Sequence, residues 1–145
     1  MLADKNMVQG LVPQGEPMIM VDGLISHNNK STESSLTIKS DNVFCNDQFF
    51  SEPGIVENIA QTAALRSGYE AYLNEKNPDI GFIGSVKNLV IKRIPKVGEK
   101  LVTKVEVISE LMGALVVQGQ TTINNEIIAE GQLNIFIQKS TDENN

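Results

Sequence analysis

The chain of 145 residues has no tryptophan, one cysteine and one histidine. With Cys45 alone no internal disulfide can form, so the fold has to stand on its core, and a reducing, cytoplasmic setting is expected. Cys45 and His27 together are too few of the usual ligands for a metal centre, and no phosphate-cradling glycine loop occurs; neither a metal nor a cofactor is expected. No apolar run approaches the ~18 residues of a membrane span. The opening M-L-A-D-K-N-M-V-Q-G lacks the apolar core of a leader. Cations are also scarce, 12 Lys and Arg against 18 Asp and Glu, for a net charge of −6. Binding to nucleic acid would need a concentrated basic surface, so it is not expected. The one basic cluster, Lys87, Lys92, Arg93, Lys96, Lys100 and Lys104, reads as a solvated face or as a patch for a small acidic partner.

Apolar residues make up 41% and charged residues 21% of the chain, enough to build a globular core. One domain over 1–145 is expected, with its core at about 11–138 and a frayed polar tail at 139–145. Residues 18–25 and 31–39 read as strands joined by the turn His27-Asn28-Asn29-Lys30, and 40–52 as a loop holding Phe44, Phe49 and Phe50. Pro53 then opens the longest element, a helix reaching about Asn74 and stopped by Asn77-Pro78. The remainder reads as strands at 80–94, 101–111, 114–123 and 127–138, with turns at 95–98, Met112-Gly113 and Asn124-Asn125. The last strand alternates Ile127, Ala129, Gly131, Leu133, Ile135 and Ile137 against polar neighbours, with Ile128 and Phe136 as exceptions. One long apolar helix and about six antiparallel strands make an α+β class in which the sheet wraps the helix. Inside the helix, Glu57 and Gln61 stand one turn apart on one face, while Ala60, Ala63, Ala64 and Gly68 read as packing residues that bring the sheet close.

P-Q-G-E-P-M-I-M-V-D at 13–22 and E-P-G-I-V-E-N-I-A-Q at 52–61 resemble the opening LPHRxPxLLVD and the helix start PGVLxxEAxAQ of the β-hydroxyacyl-[acyl carrier protein] dehydratases. G-F-I-G-S-V-K-N-L-V-I-K-R-I-P-K-V-G-E-K-L at 81–101 resembles the following strand and PGDxL turn. The closing A-E-G-Q-L-N-I-F-I-Q is similar to the variants found in aryl-polyene and flexirubin pigment clusters. The resemblance implies a hotdog fold, a curved antiparallel sheet around one central helix. It implies a dimer, with itself or with a related hotdog subunit, and an acyl chain on a phosphopantetheine arm as the cargo of acyl carrier protein or CoA. Carried over residue by residue, it places a catalytic carboxyl at Glu57, its partner at Gln61 and a thioester-polarising N–H at Gly54; Ile55, Phe50, Phe82 and Gly84 are expected as further substrate-binding positions, with Phe50 and Phe82 as core or tunnel wall. A carboxyl on an apolar helix face is poorly hydrated and suited to acid catalysis.

The loop before the helix departs from the family. Its pattern GHFPxxPxxPG carries the base histidine, whereas this chain reads F-C-N-D-Q-F-F-S-E-P-G, which puts Gln48 at the base position. The histidine of LPHR is replaced by Gln14. His27 reads as a solvated turn residue, Cys45 as a buried thiol and Asp47 as turn chemistry or a substitute base. Three functions follow: a dehydratase-like lyase acting through Glu57, Gln61 and Gln48; a thioesterase in which Glu57 activates water; or a subunit without its own activity that pairs with an active dehydratase.

Overall fold

The computed structural model describes residues 1–139, so most of the expected polar tail lies outside the described residues. Along the chain come α1 (Lys5–Gln9), β1 (Gly23–His27), β2 (Ser31–Thr37), β3 (Cys45–Asn46), β4 (Phe49–Phe50), α2 (Glu52–Leu73), β5 (Ile80–Ile91), β6 (Lys100–Leu111), β7 (Ala114–Ile123) and β8 (Glu126–Gln138). Six strands form one antiparallel sheet in the order β1-β2-β6-β7-β8-β5, against which α2 packs. This is the hotdog arrangement. No helix among the described residues is long and apolar enough to cross a membrane.

Local chemistry sets the boundaries. Ser51, with extended backbone, precedes α2; Pro53 sits in its first turn; and Asn74 ends it with its N–H on the carbonyls of Glu70 and Ala71. The β7–β8 turn needs positive φ at Asn124 and Asn125, 51° and 66°, a conformation asparagine tolerates better than most residues. Two expectations change, and one further element appears. The strand expected from residue 18 begins only at Gly23, because Met18–Met20 gives its backbone groups to helix side chains instead of a ladder. The loop at 40–52 contains the β3–β4 hairpin, turned by Asp47 and Gln48 at φ 51° and 71°. The further element is α1, near the start of the sequence, whose N-cap Asp4 accepts the Met7 N–H at 3.0 Å.

The main core sets Ile55, Ile59 and Ala63 of α2 against Leu101, Val105, Val117 and Leu133 of the sheet. A second cluster packs Val8, Leu11, Val12 and Leu24 on Leu65. Among the alternating residues of β8, Ala129, Gly131, Leu133 and Ile135 face inward and are buried. Ile128 is also buried because a bulge opposite Thr121/Thr122 inserts it as an extra residue. Phe136 points outward and covers Gly84 across the β5–β8 pair; a Cβ at Gly84 would overlap its ring.

Of the small helix residues, Ala63 packs into the core with the sheet and Ala60 lies against it, but Gly68 does not serve the sheet. Gly119 of β7 is the glycine that lets sheet and helix approach, since an added Cβ would meet Ile59 Cγ2 at 2.5 Å. Gly68 instead receives the Leu11 backbone, and a Cβ there would overlap the Leu11 carbonyl. Backbone cannot swing aside as a side chain can, so Gly68→Ala is expected to cost about 2–4 kcal/mol. Urea denaturation would show this as a lower midpoint at unchanged slope, and a change within about 0.5 kcal/mol would refute the contact.

His27 is not a solvated turn residue: its side chain is only 9% exposed. Its Nδ1 lies 2.9 Å from Thr32 Oγ1 and its Nε2 3.3 Å from Glu70 Oε2, while its ring meets Tyr69 edge-on at 5.5 Å. Arg66 stitches the same corner, donating to the carbonyls of Asn28 and Asn29 and to Thr32 Oγ1. A neutral imidazole fits both partners, with Nε2–H toward Glu70 and Nδ1 accepting from Thr32. Burial, and then the Arg66 charge, hold the His27 pKa below its usual value against the pull of Glu70. The unfolded chain therefore binds a proton at higher pH than the folded one, and stability falls as pH drops below about 6.5. Denaturation midpoints measured from about pH 8 to about pH 5 should show this loss, and His27→Asn should remove that component.

Candidate functional site

A cavity of about 240 Å³ lies beside α2. Glu57, Ala60, Ala64 and Ser67 recur three or four residues apart and form its helix wall. From Glu57 to Ser67 that wall runs about 15 Å at the helical rise. Gly81, Phe82 and Ile83 of β5, Leu115 of β7, and Ile135 and Ile137 of β8 stand across from it. Ala63, Pro13, Gln14 and Asp79 complete the lining.

Glu57 is the carboxyl on this wall, and it is half-buried. Gln61, wholly buried, fixes it. The Gln61 carbonyl oxygen accepts the Met20 N–H at 2.6 Å, and its amide nitrogen donates to the Met18 carbonyl at 2.8 Å. The same nitrogen donates to Glu57 Oε2 at 2.8 Å. The amide cannot flip without setting N–H against N–H at Met20 and carbonyl against carbonyl at Met18. The backbone of Met18–Met20 thus dictates which end of Gln61 meets the carboxylate. Asn58, one turn before Thr62, anchors the same segment by donating to the Met20 carbonyl at 2.8 Å.

Of the residues singled out from sequence, one copy of the chain brings Glu57, Gln61 and Phe82 together here. The others lie outside the cavity lining. Gln48 is exposed at the hairpin tip, its carbonyl accepting the Val97 N–H at 2.9 Å. Ile55 and Phe50 are buried core, and Gly84 sits under Phe136. The Gly54 N–H already donates to the Ser51 carbonyl at 3.0 Å. A Cβ at Gly54 would meet the Phe50 ring at 2.7 Å and Phe44 Cβ at 2.8 Å, so two aromatic residues roof the helix start. Cys45 is held toward its neutral thiol by burial and then by Asp41, which disfavours it as a nucleophile. In the basic cluster, Arg93 is taken up by a two-pronged contact with Glu99, at 2.9 and 3.1 Å.

Sequence reasoning missed Gln14, Ser67 and Asp79 as lining residues and assigned Ala60, Ala63 and Ala64 to packing alone. The signal was present: with Glu57 they make a stripe of small residues on the carboxyl's own face. The walls suit an extended apolar chain, and the fixed carboxyl can exchange a proton with whatever that chain carries.

The model of the ApeP-like family, described as ApeP dehydratase, matches residues 6–144. The 3-hydroxyacyl-[acyl-carrier-protein] dehydratase FabZ of Thermotoga neapolitana is 29% identical over 139 residues, covering 91% of this chain and 96% of that protein. The FabZ of Nitrosomonas europaea is 27% identical over 133 residues, covering 84% of each. Among solved structures, the dehydratase heterocomplex ApeI:P from Xenorhabdus doucetiae superposes with a TM-score of 0.85 at 15% identity, covering 94% of this chain and 93% of that one. A hypothetical thioesterase with coenzyme A from Streptococcus pneumoniae shares the fold at a TM-score of 0.64 and 8% identity, covering 81% and 85%.

Proposed function

The chain belongs to the ApeP-like dehydratase family, and from that premise we propose that it is a dehydratase-type subunit for β-hydroxyacyl thioesters of acyl carrier protein or CoA. The observation that carries this reading is the Glu57 carboxyl, held by Gln61 on the wall of an apolar cavity. Dehydration breaks a Cα–H and a Cβ–O bond, forms the Cα=Cβ double bond and releases water. Glu57 is the acid that hands a proton to the departing hydroxyl. A second group must take the α-proton, and an amide at Gln48 cannot do so at neutral pH.

Asp47, the other candidate base of this loop, stands exposed beside Gln48 in the hairpin turn and outside the cavity lining, so the base comes from a second hotdog subunit that carries a histidine. Two observations support pairing. β5 ends the sheet as a twelve-residue edge strand with Ile80, Phe82, Val86 and Val90 exposed. That strand also supplies the cavity residues Gly81, Phe82 and Ile83, so whatever covers it also adjoins the site. The similarity to the heterocomplex ApeI:P agrees with a related subunit as the partner.

The test is to assay the chain alone and co-expressed with a histidine-bearing hotdog subunit, following enoyl formation and free thiol in the same sample. Enoyl thioester from the pair and none from the single chain is the expected result. Full dehydration by the single chain would remove the need for a partner. Thiol release without enoyl formation would replace the dehydratase reading with a thioesterase.

A further inference from the structure

A second cavity, of about 160 Å³, lies beyond the first along α2, and Ser67 and Asp79 line both. Ser67 ends the helix wall that begins at Glu57, and Ala71 and Asn74 carry the same three- and four-residue spacing into the second cavity. Asp79 is the other shared residue, its carboxylate 3.5 Å from Lys139 Nζ. The two cavities therefore meet at this pair, and Ser67, with one of the smallest side chains, is the helix side of the throat between them. The second cavity is polar, but its groups are already engaged. Glu70 Oε2 lies 3.3 Å from His27 Nε2 and 3.7 Å from Arg66 Nη2, and the Asn74 amide donates to the Glu70 carbonyl at 2.8 Å. Lys76 is exposed and keeps its ammonium in water. A hydrocarbon crossing this space strips none of these groups of its partner, which is the cost that bars an apolar chain from most polar pockets.

We infer that Ser67 is a specificity-determining residue: it leaves the far end of the acyl cavity open, so that acyl chains longer than the apolar section run past it along Ala71. This rests on the cavity being the acyl site. With the β-carbon at Glu57, the stretch of about 15 Å to Ser67 takes up roughly a dozen carbons of extended chain. Shorter chains end before the throat and longer ones cross it. A bulky side chain at position 67 or 71 therefore discriminates by length alone.

Pantetheine thioesters of β-hydroxyoctanoate and β-hydroxyoctadecanoate, held below their micelle concentrations, test this on the full chain with its partner subunit, with Kd measured by equilibrium dialysis. Wild type should bind the octadecanoyl ligand more tightly, by about tenfold or more, because the added carbons leave water. Ser67→Leu and Ala71→Leu should each weaken the octadecanoyl ligand about tenfold and leave the octanoyl ligand within about twofold, which also shows that the first cavity is intact. Where Ser67→Leu disturbs the octanoyl ligand as well, Ala71→Leu, outside the first cavity, decides. An octadecanoyl ligand that binds wild type no better than the octanoyl one, or that binds Ala71→Leu as tightly as wild type, overturns the inference while leaving the acyl-site reading in place. Binding of neither ligand by wild type overturns the acyl-site reading, and this inference with it.

Discussion

Replacing Glu57 by glutamine is expected to lower dehydration of a β-hydroxyacyl thioester by the paired enzyme about 10²–10⁴-fold, with little change in KM. The substitution keeps shape, and a carbonyl oxygen at the same place still accepts from the Gln61 amide, which the Met18 carbonyl and Met20 N–H hold in position. What disappears is the proton. An amide cannot protonate the leaving hydroxyl, so the loss falls on kcat, while the apolar walls that hold the chain stay as they were. Enoyl formation followed by absorbance, with substrate binding measured separately, separates the two quantities. A kcat within about threefold of wild type would remove Glu57 from the chemistry.

Asn58→Ala is expected to destabilise the protein by about 3 kcal/mol, a drop of roughly 10 °C in Tm for a chain of this size. Asn58 is fully buried, as are Thr62, Thr103 and Thr121 around it. Its amide nitrogen donates to the Met20 carbonyl at 2.8 Å and its oxygen accepts from Thr103 Oγ1 at 2.5 Å. Thr103 continues to Thr121 at 2.9 Å, and the Asn58 carbonyl accepts from Thr62 Oγ1, itself 2.7 Å from Ser34 Oγ. Alanine leaves the Met20 carbonyl without its donor inside the protein, and that desolvated acceptor is the main cost. The same change loosens Met18–Met20, so the variant should also lose activity through Gln61 and Glu57. Calorimetry showing a Tm within about 2 °C of wild type would mean that the network carries little stability.

These expectations divide by how far along the chain their causes lie. The long helix was legible because its start and stop signals are neighbours of its own sequence, Pro53 and Asn77-Pro78. The hairpins of β6, β7 and β8 were legible for the same reason, through Met112-Gly113 and Asn124-Asn125. Glu57 and Gln61 stood out because one helical turn separates them, although the reason for their fixed geometry, the backbone of Met18–Met20, lies some forty residues upstream. His27 looked like a turn residue because Arg66, Tyr69 and Glu70, which bury it, are equally remote in sequence. Gly68 and Gly119 look alike as letters, and only packing tells that one makes room for a carbonyl and the other for an isoleucine. The helix α1 escaped notice because five residues are too few to show a period, even with Asp4 at its cap.

The β5 flank carries a consequence for how the polypeptide is made. Its ladder of open amides and carbonyls, studded with Ile80, Phe82, Val86 and Val90, is an adhesive surface for any other unzipped strand nearby. Copies emerging from ribosomes without a mate would collect into β-rich precipitates, and refolding them afterwards would compete with that clumping. If the proposed mate covers this edge, co-expression should leave more of the chain in the supernatant than expression alone, and equal amounts in both would show that the edge needs no cover.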